Sequence, residues 1–481
     1  MSLFIGIDCG TTGIRVVVYD ENGFQKGVGQ FPFTTRRNVR GWSEQAPEDW
    51  WRGLKESVQT ALQDVVTNDV RAIGVTATGP SVVFANQLGV PVRPAILWED
   101  IRAAEIAMTY QINYETLLAK ALWLQKHRPE EFVRAEIICE AADWLVWQMT
   151  GELKANLPAF GGDIPNDFIG DRRIEIQSVL SKTPKKRIPF GEIVGTLTSQ
   201  VCYELNLPKG VPVINGSTDA FVAGLALGIT DDTAVGCLGG SSNVVLALTD
   251  AVNFKTSLNV LQPGVLHPRY SEIVGSHYSG LIWDWWKSIR GKSVYEDIES
   301  WRHDPEAKPS GIVFFEWFNG NRMPWRDPSL SGGCWGLSLS KGPNDLTRSV
   351  LEGIAYGTRL LFEEMSSIPN IQLREIRMAG GLTNIDLYNR ILSSVLNRPL
   401  TITGLPSASA VGAAMLAAKT VDSIQLIPAT LSSVKVLPDP QLVQQYQEYF
   451  SYYVETGNRL TDLMHLERKT DESIKFPITE S

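Results

Sequence analysis

The chain has 481 residues, a formal net charge of -9 and a sequence pI near 5.3. Its length exceeds what one hydrophobic core usually supports and implies two domains of roughly 200 residues each. Its acidity argues against a nucleic-acid surface, which needs clustered Lys and Arg, but leaves small ligands open, because helix N-termini and backbone amides hold phosphates without a basic excess.

Cys9, Cys139, Cys202, Cys237 and Cys334 show no CxxC spacing and their odd number cannot pair completely, which fits a reducing, cytoplasmic setting. The five histidines form no HExxH and no Cys/His cluster, so no zinc site is expected. The stretch from Met1 to Asp8 lacks the basic start of a signal peptide, and no charge-free apolar run reaches ~18 residues, so a soluble chain without a membrane partner is expected.

Residues 3 to 23 read as a β-hairpin: the run LFIGID, a turn carrying Gly10 and Gly13, the β-branched run IRVVVYD and a second turn at Asn22-Gly23. In the first turn Gly10 permits close backbone approach, Thr11 and Thr12 offer hydroxyl and N–H donors, and Asp8 ends a strand where it can hold Mg²⁺. An ordinary hairpin with an acidic strand end is the alternative. From Pro47 to about Thr67, Trp50, Leu54, Val58, Ala61 and Leu62 recur at helical spacing, ahead of a short strand from Ala72 to Ala77. Trp98, Asp100 and Arg102 set an apolar ring beside an acceptor and donors, or else a core tryptophan beside an ion pair. Residues 156 to 189 lack clean periodicity and predict an extended surface excursion.

The run VPVING at 211 to 216 is a buried strand feeding a small-residue helix through Ser217-Thr218-Asp219. Asp219 at that helix start is either a capping carboxylate or a functional acid. Ala234 to Thr249 then repeats the N-terminal layout: strand, glycine turn at Gly239-Gly240-Ser241-Ser242, β-branched strand. Two such hairpins imply a duplicated architecture facing across a cleft, with domains of 1–230 and 231–481. Gly380 and Gly381 leave room for close backbone approach with Asn384 as a hydrogen-bonding neighbour, or form a strand-to-helix turn with Asn384 as cap. Near the C-terminus, Tyr446, Tyr449, Phe450 and Tyr453 predict a helix over 442–465 packed on the second domain. Neither a Walker A loop nor GxGxxG is present, and the nearest string, Gly291-Lys292-Ser293, has Trp286 where the earlier glycine belongs. The remaining phosphate clamp is a pair of hairpin turns converging from opposite sides, and both turns are there.

At this point the chain resembles the FGGY carbohydrate kinases. Gly6 to Arg15 (GIDCGTTGIR) is similar to that family's opening phosphate motif, and the similarity continues in order through Leu97 to Arg102 (LWEDIR), Asp143 to Gly151 (DWLVWQMTG), Gly320 to Pro328 (GNRMPWRDP), Leu351 to Arg359 (LEGIAYGTR) and Ala379-Gly380-Gly381 with Asn384. The resemblance implies an α/β actin-like ATPase fold, two ribonuclease-H-like domains that hinge over ATP, Mg²⁺ and a sugar. It further implies Asp219 as the catalytic base and Asp8 as the metal-organising aspartate, with Thr11, Thr12 and Arg15 around the phosphates. Arg15 can instead be an ion-pair partner. Gly239, Gly240 and Ser241 cradle the nucleotide from the other side, with Gly240 standing where the family usually has threonine; Gly380, Gly381 and Asn384 hold adenosine. Thr78, Trp98, Asp100 and Arg102 line the sugar site, and His277 falls about where members place a substrate contact, unless it is structural.

The resemblance breaks at Thr78-Gly79-Pro80-Ser81, where xylulokinase-like members carry Gln-Met-His-Gly and glycerol kinases Arg-Glu. A Gly-Pro pair donates no side-chain hydrogen bond, so the hydroxyl pattern read there differs. Similarity of the second domain to pentulose kinases points to a four- to six-carbon ketose or polyol, a ketopentose of the xylulose or ribulose type. Alternatives are glycerol, erythritol or gluconate as acceptor, a sugar phosphatase or polyphosphatase, and an actin-like ATP-binding regulatory protein; a cytoplasmic homodimer is compatible with each.

Overall fold

The computed structural model describes residues 1–156, 173–229, 231–250, 259–263, 271–302, 308–429 and 432–470. The chain opens with the antiparallel meander β1 (Leu3–Cys9), β2 (Gly13–Asp20) and β3 (Gln25–Pro32), as the alternating β-branched runs predict. Helix α1 (Pro47–Ala61) begins on a proline at its first position and buries Trp50, Leu54, Val58 and Ala61. It ends at Ala61, earlier than the expected Thr67, and a turn followed by a 3₁₀ turn over Thr67–Asp69 leads into β4 (Val70–Ala77). Further on, α2 (Leu117–His127) and α3 (Ala141–Thr150) lead to β5 (Ile193–Thr196), β6 (Pro212–Thr218) and α4 (Asp219–Ala226). The first sheet has the order β5-β6-β4-β1-β2-β3, with β1, β4 and β6 mutually parallel.

The second half repeats this plan. Strands β7 (Ala234–Gly239) and β8 (Ser242–Thr249) form the hairpin that the glycine turn predicts, and β9 (Asn259–Pro263) and β10 (Ser271–Tyr278) extend it. After α5 (Gly280–Arg290) and the long α6 (Pro343–Ser366) come β11 (Glu375–Ala379), α7 (Asp386–Leu396), β12 (Leu400–Thr403), α8 (Ala408–Asp422), β13 (Ser433–Val436) and α9 (Pro440–Thr470). The sheet order is β9-β10-β8-β7-β11-β12-β13. An antiparallel meander flanked by two parallel strands and a final antiparallel edge thus occurs twice. The predicted duplication is a topological fact, carried by hairpin turns rather than by residue identity.

Each half has its own core, and a third apolar cluster joins them. In that cluster Phe4, Val17 and Tyr19 of the first sheet meet Leu246 and Leu248 of the second through Val222 and Ala223 of α4 and Val411, Ala414 and Ala418 of α8. Small side chains on the two helices let backbones approach closely, so this cluster joins the two halves. Helix α9 packs Tyr446, Phe450 and Tyr453 into the second core, as its spacing predicts. Within the expected excursion over 156–189, residues 157–172 lie outside the described residues, and Arg173–Ser181 is a helix whose Ile176 and Val179 pack beside α2. Two buried positions in nine residues are too few to register as periodicity. Among the described residues, no helix is long and apolar enough to cross a membrane.

Candidate functional site

The carboxyl ends of three parallel strands gather the acidic groups. Asp8, next to last in β1, lies beside Thr76 of β4, and Thr218 at the end of β6 lies beside Ala77. Asp219 follows as the first residue of α4. The helix caps on Thr218, not on Asp219, whose Oδ1 accepts the N–H of Ala220 at 2.9 Å. Thr218 makes no side-chain cap bond, so it is Asp219, as first helical residue, whose carboxylate serves a first-turn amide. Burial, and then the charge of Asp8, push the Asp219 carboxyl up to about 7, against an opposing pull from Arg322. Asp8 is raised by burial too, with Arg15 and Ser407 pulling it down. Ser407, the N-cap of α8, donates to Asp8 Oδ2 at 3.2 Å, while Asp8 Oδ1 is buried with no hydrogen-bond partner. Such an oxygen suits a cation, and a lone carboxylate fits Mg²⁺, which fills most of its shell with water and phosphate oxygens. Among the described residues no group of three or more His, Cys, Asp or Glu side chains could hold a metal on its own.

The first turn, closed by Gly10 N–H to Gly13 O at 3.0 Å, separates its two threonines. Thr11 is buried: its Oγ1 accepts the Trp98 indole N–H at 2.8 Å and lies 3.3 Å from Thr78 Oγ1, while its carbonyl accepts from Gln45 at 2.7 Å. Thr12 is exposed. The guanidinium of Arg15 lies over Gly10, within 3.8 Å of where a Cβ would stand.

The second turn is made of backbone. Gly240 N–H bonds Ser242 O at 3.0 Å, and the carbonyls of Gly240 and Ser241 accept from the first amides of α5. Gly240 is exposed, and the nearest atom to a Cβ there is Ser242 O at 3.7 Å, so a threonine side chain would find open space. Gly380, at φ +110, lies against this turn: a Cβ there would fall 2.5 Å from Gly239 O. Gly381 faces open space and Asn384 is exposed. Helix α7 caps on Ile385 without a side-chain bond, so Asn384 is not its cap. The adenosine-type turn and the second phosphate turn are thus one contiguous surface. A separate cavity of about 360 Å³ between α7 and β13, lined by Leu387, Asn389 and Val436 among others, takes in none of these residues.

Trp98 ties the two turns together. It bonds Thr11 of the first, its ring stacks on Tyr278 with centroids 6.0 Å apart, and Tyr278 is paired in register with Ser242 of the second. Arg322, 4.6 Å above the Trp98 ring, comes from the second half and forms a two-pronged ion pair with Glu115 of the first. Asp100 and Arg102 are turned to each other, at 2.6 and 2.8 Å, with further bonds to Ser43 N–H and Glu44, and Arg102 is held between the rings of Trp42 and Trp123. Their polar atoms support the Trp98 segment from behind. His277 is buried beneath the second turn, with Nε2 2.9 Å from Thr358 Oγ1, and burial pushes it down to about 3. Thr358 in turn accepts from Asn243, the residue after the turn.

Two positively charged residues escaped the sequence reading. Arg322 lies inside the GNRMPWRDP stretch, but its partner is 207 residues away, and no local pattern pairs them. Lys120 is buried among the apolar residues of α2, donates to the carbonyls of Pro80 and Leu97 at 2.7 and 2.8 Å, and is pushed by burial down to about 8. A lysine inside the run LLAKALWL was its signal. The departure at Gly79 also has a cause: a Cβ there would stand 2.3 Å from Thr218 Cγ2, beside the catalytic candidate.

Against known proteins, the profile of the FGGY family of carbohydrate kinases, N-terminal domain, matches residues 3–163, and that of the C-terminal domain matches residues 237–421. The chain belongs to the FGGY family of carbohydrate kinases. It is therefore a phosphotransferase with a carbohydrate hydroxyl as acceptor, and the family's chemistry supports ATP as donor. The xylulose kinase of Escherichia coli K12 is 25% identical over 472 residues, covering 92% of this chain and 96% of its own. The ribulokinase of Bacillus licheniformis is 25% identical over 511 residues, covering 91% and 92%. The structure of ligand-bound xylulose kinase from Lactobacillus acidophilus superposes with a TM-score of 0.80 at 17% identity, over 96% of this chain and 99% of that one. The two sheet-containing halves are the FGGY version of the actin-like fold.

Proposed function

We propose that this FGGY kinase transfers the γ-phosphate of ATP, bound with Mg²⁺, to a hydroxyl of a ketopentose of the xylulose or ribulose type. The observation that carries the reading is Asp219: a carboxyl at a strand-to-helix junction, raised to about 7, beside Asp8 and within the field of Arg322. A base of that strength takes a proton near neutral pH while remaining partly ionised, which is the compromise general-base catalysis needs. Asp219 accepts the proton of the attacking hydroxyl. Asp8, with its unpartnered buried Oδ1, would hold the cation, which would neutralise phosphate charge when bound. Thr12 and Arg15 from the first turn, and the backbone of Gly239, Gly240 and Ser241 from the second, bind the phosphates; Gly380, Gly381 and Asn384 bind the nucleoside. Trp98 and Thr78 form the sugar wall, with Thr11 orienting both. Asp100, Arg102 and His277 act one layer behind, holding the Trp98 segment and the second turn.

The same reading divides the chain at 230/231, with the hinge at the α4 and α8 junction, and takes the working species to be a cytoplasmic homodimer, which light scattering would check. The acceptor is tested by ADP release from Mg-ATP with xylulose, ribulose, glycerol, erythritol and gluconate in turn. A ketopentose should give the highest kcat/KM, and ADP release should depend on it. ADP release indifferent to every sugar would leave the chain without the proposed acceptor chemistry.

A further inference from the structure

We infer that Arg322 is the residue through which the second half reads the acceptor sugar, and that it selects an uncharged polyhydroxylated chain over an aldonate. This rests on the kinase reading of the same site. Arg322 reaches from the second half into the first, where Nη2 bonds Glu115 Oε2 at 2.9 Å and Nε bonds Glu115 Oε1. Its Cζ stands 4.6 Å over the face of Trp98, the proposed sugar wall. Trp98 in turn stacks on Tyr278 at 6.0 Å and bonds Thr11, so the guanidinium sits where the second half meets the first turn, near enough to Asp219 to pull its carboxyl down.

A guanidinium has five N–H donors in a fixed fork. Glu115 takes one edge of the fork, through Nε and Nη2; Nη1 forms no hydrogen bond with any described residue. A buried ion pair alone is weak evidence of stabilisation, because removing both charges from water costs as much as their attraction returns. What the pair does accomplish is orientation. Carboxylate on one edge and indole on one face fix the plane of the guanidinium and leave Nη1 on the edge away from Glu115. Glu115 also supplies the counter-charge of Arg322. The other basic groups around Trp98 are engaged likewise: Arg102 with Asp100 and Glu44, Lys120 with two carbonyls, Arg37 with Glu99. An aldonate carboxylate would meet Asp219 and Asp8, and the cation beside them, Arg15, is the one the kinase reading gives to the phosphates, whereas hydroxyl and ketone oxygens need only a donor.

The test is a cycle between protein and substrate. kcat/KM is measured for the wild-type enzyme and Arg322→Lys with D-xylulose, D-ribulose, gluconate and singly deoxygenated analogues of each ketose, together with KM for ATP. Arg322→Lys should lower kcat/KM for the preferred ketose on the order of 30-fold, the scale of one charge-assisted hydrogen bond, with KM for ATP unchanged. One deoxy analogue that is poor for the wild-type enzyme should suffer no further loss in the variant. Should Arg322→Lys not fold, Glu115→Gln, which frees the fork, must shrink the same analogue's penalty. Losses that simply multiply for every analogue, an undiminished penalty in Glu115→Gln, or gluconate used as well as the ketose would each overturn the inference. Inactivity of the wild-type enzyme on every ketose would overturn the acceptor reading itself, and this inference with it.

Discussion

The turn at residues 10–13 and the turn at residues 239–242 occupy equivalent places in two copies of one topology, yet they are built from different chemistry. The first carries side-chain hydroxyls and fixes one of them: Thr11 is locked by Trp98, Thr78 and Gln45. The second presents backbone, braced from below by Gly280 and Gly380 and by Asn243, which bonds Thr358 and Tyr388 at 2.5 and 2.8 Å. A sugar hydroxyl is told from its neighbours by placed polar side chains, whereas a phosphate needs only N–H groups in a concave turn. On the proposed reading, the asymmetry gives the first half both the acceptor and one side of the phosphates and gives the second half the nucleoside and the other side, with Arg322 as the crossing point.

The largest expected effect comes where the two assignments meet. Asp219→Asn should lower kcat by at least ~10²-fold with ATP affinity near normal, which stopped-flow and calorimetry would read separately. The same variant should be more heat-stable than the wild-type protein at pH 8. The Asp219 carboxyl sits at about 7 against an ordinary 3.8, so the folded state prefers its protonated form; the stability that this preference contributes is full below about 4 and lost as pH rises through about 7. The gain should vanish at pH 4. Next in size, Gly380→Ala forces a Cβ onto Gly239 O and should raise KM for ATP about tenfold, roughly 1.4 kcal/mol, leaving KM for the sugar unchanged. An equal rise in both would erase the division between the turns. Thr11→Val leaves the buried Trp98 N–H without its acceptor, worth about 1–3 kcal/mol, so melting should fall by several degrees and KM should rise for the sugar rather than for ATP. Smallest, Gly240→Thr enters open space and should change KM for ATP by less than about threefold, a change near 0.6 kcal/mol.

What the sequence disclosed follows the same division. Both turns were legible because glycine between β-branched runs is a local signal, and Asp219 because a buried strand meets a helix there. Residue type alone misplaced the emphasis at Asp100 and Arg102. An acceptor and a donor beside a tryptophan look like a binding pair, and only the fold reveals that they satisfy each other between Trp42 and Trp123. His277 is similar: its partner Thr358 lies 81 residues on. Arg322 was in view inside a quoted motif but silent, because its meaning depends on Glu115 and Trp98 in the other half. Local pattern thus found the backbone devices and the strand-end acids, while side chains whose role is set by contacts between halves had no sequence signature.

The central claim is that one carboxyl, poised near neutrality between the halves, activates the acceptor. Its most direct test is the pH dependence of kcat/KM for the preferred ketose at saturating Mg-ATP, from pH 5 to 9, which reports the essential base before the acceptor binds. The account predicts a rise of about tenfold per unit to a plateau, with the bend at or below about 7 because a cation on Asp8 offsets part of what raises Asp219, and with the rising limb absent from the residual activity of Asp219→Asn. A profile that bends only above pH 7, or the same limb in Asp219→Asn, would contradict it.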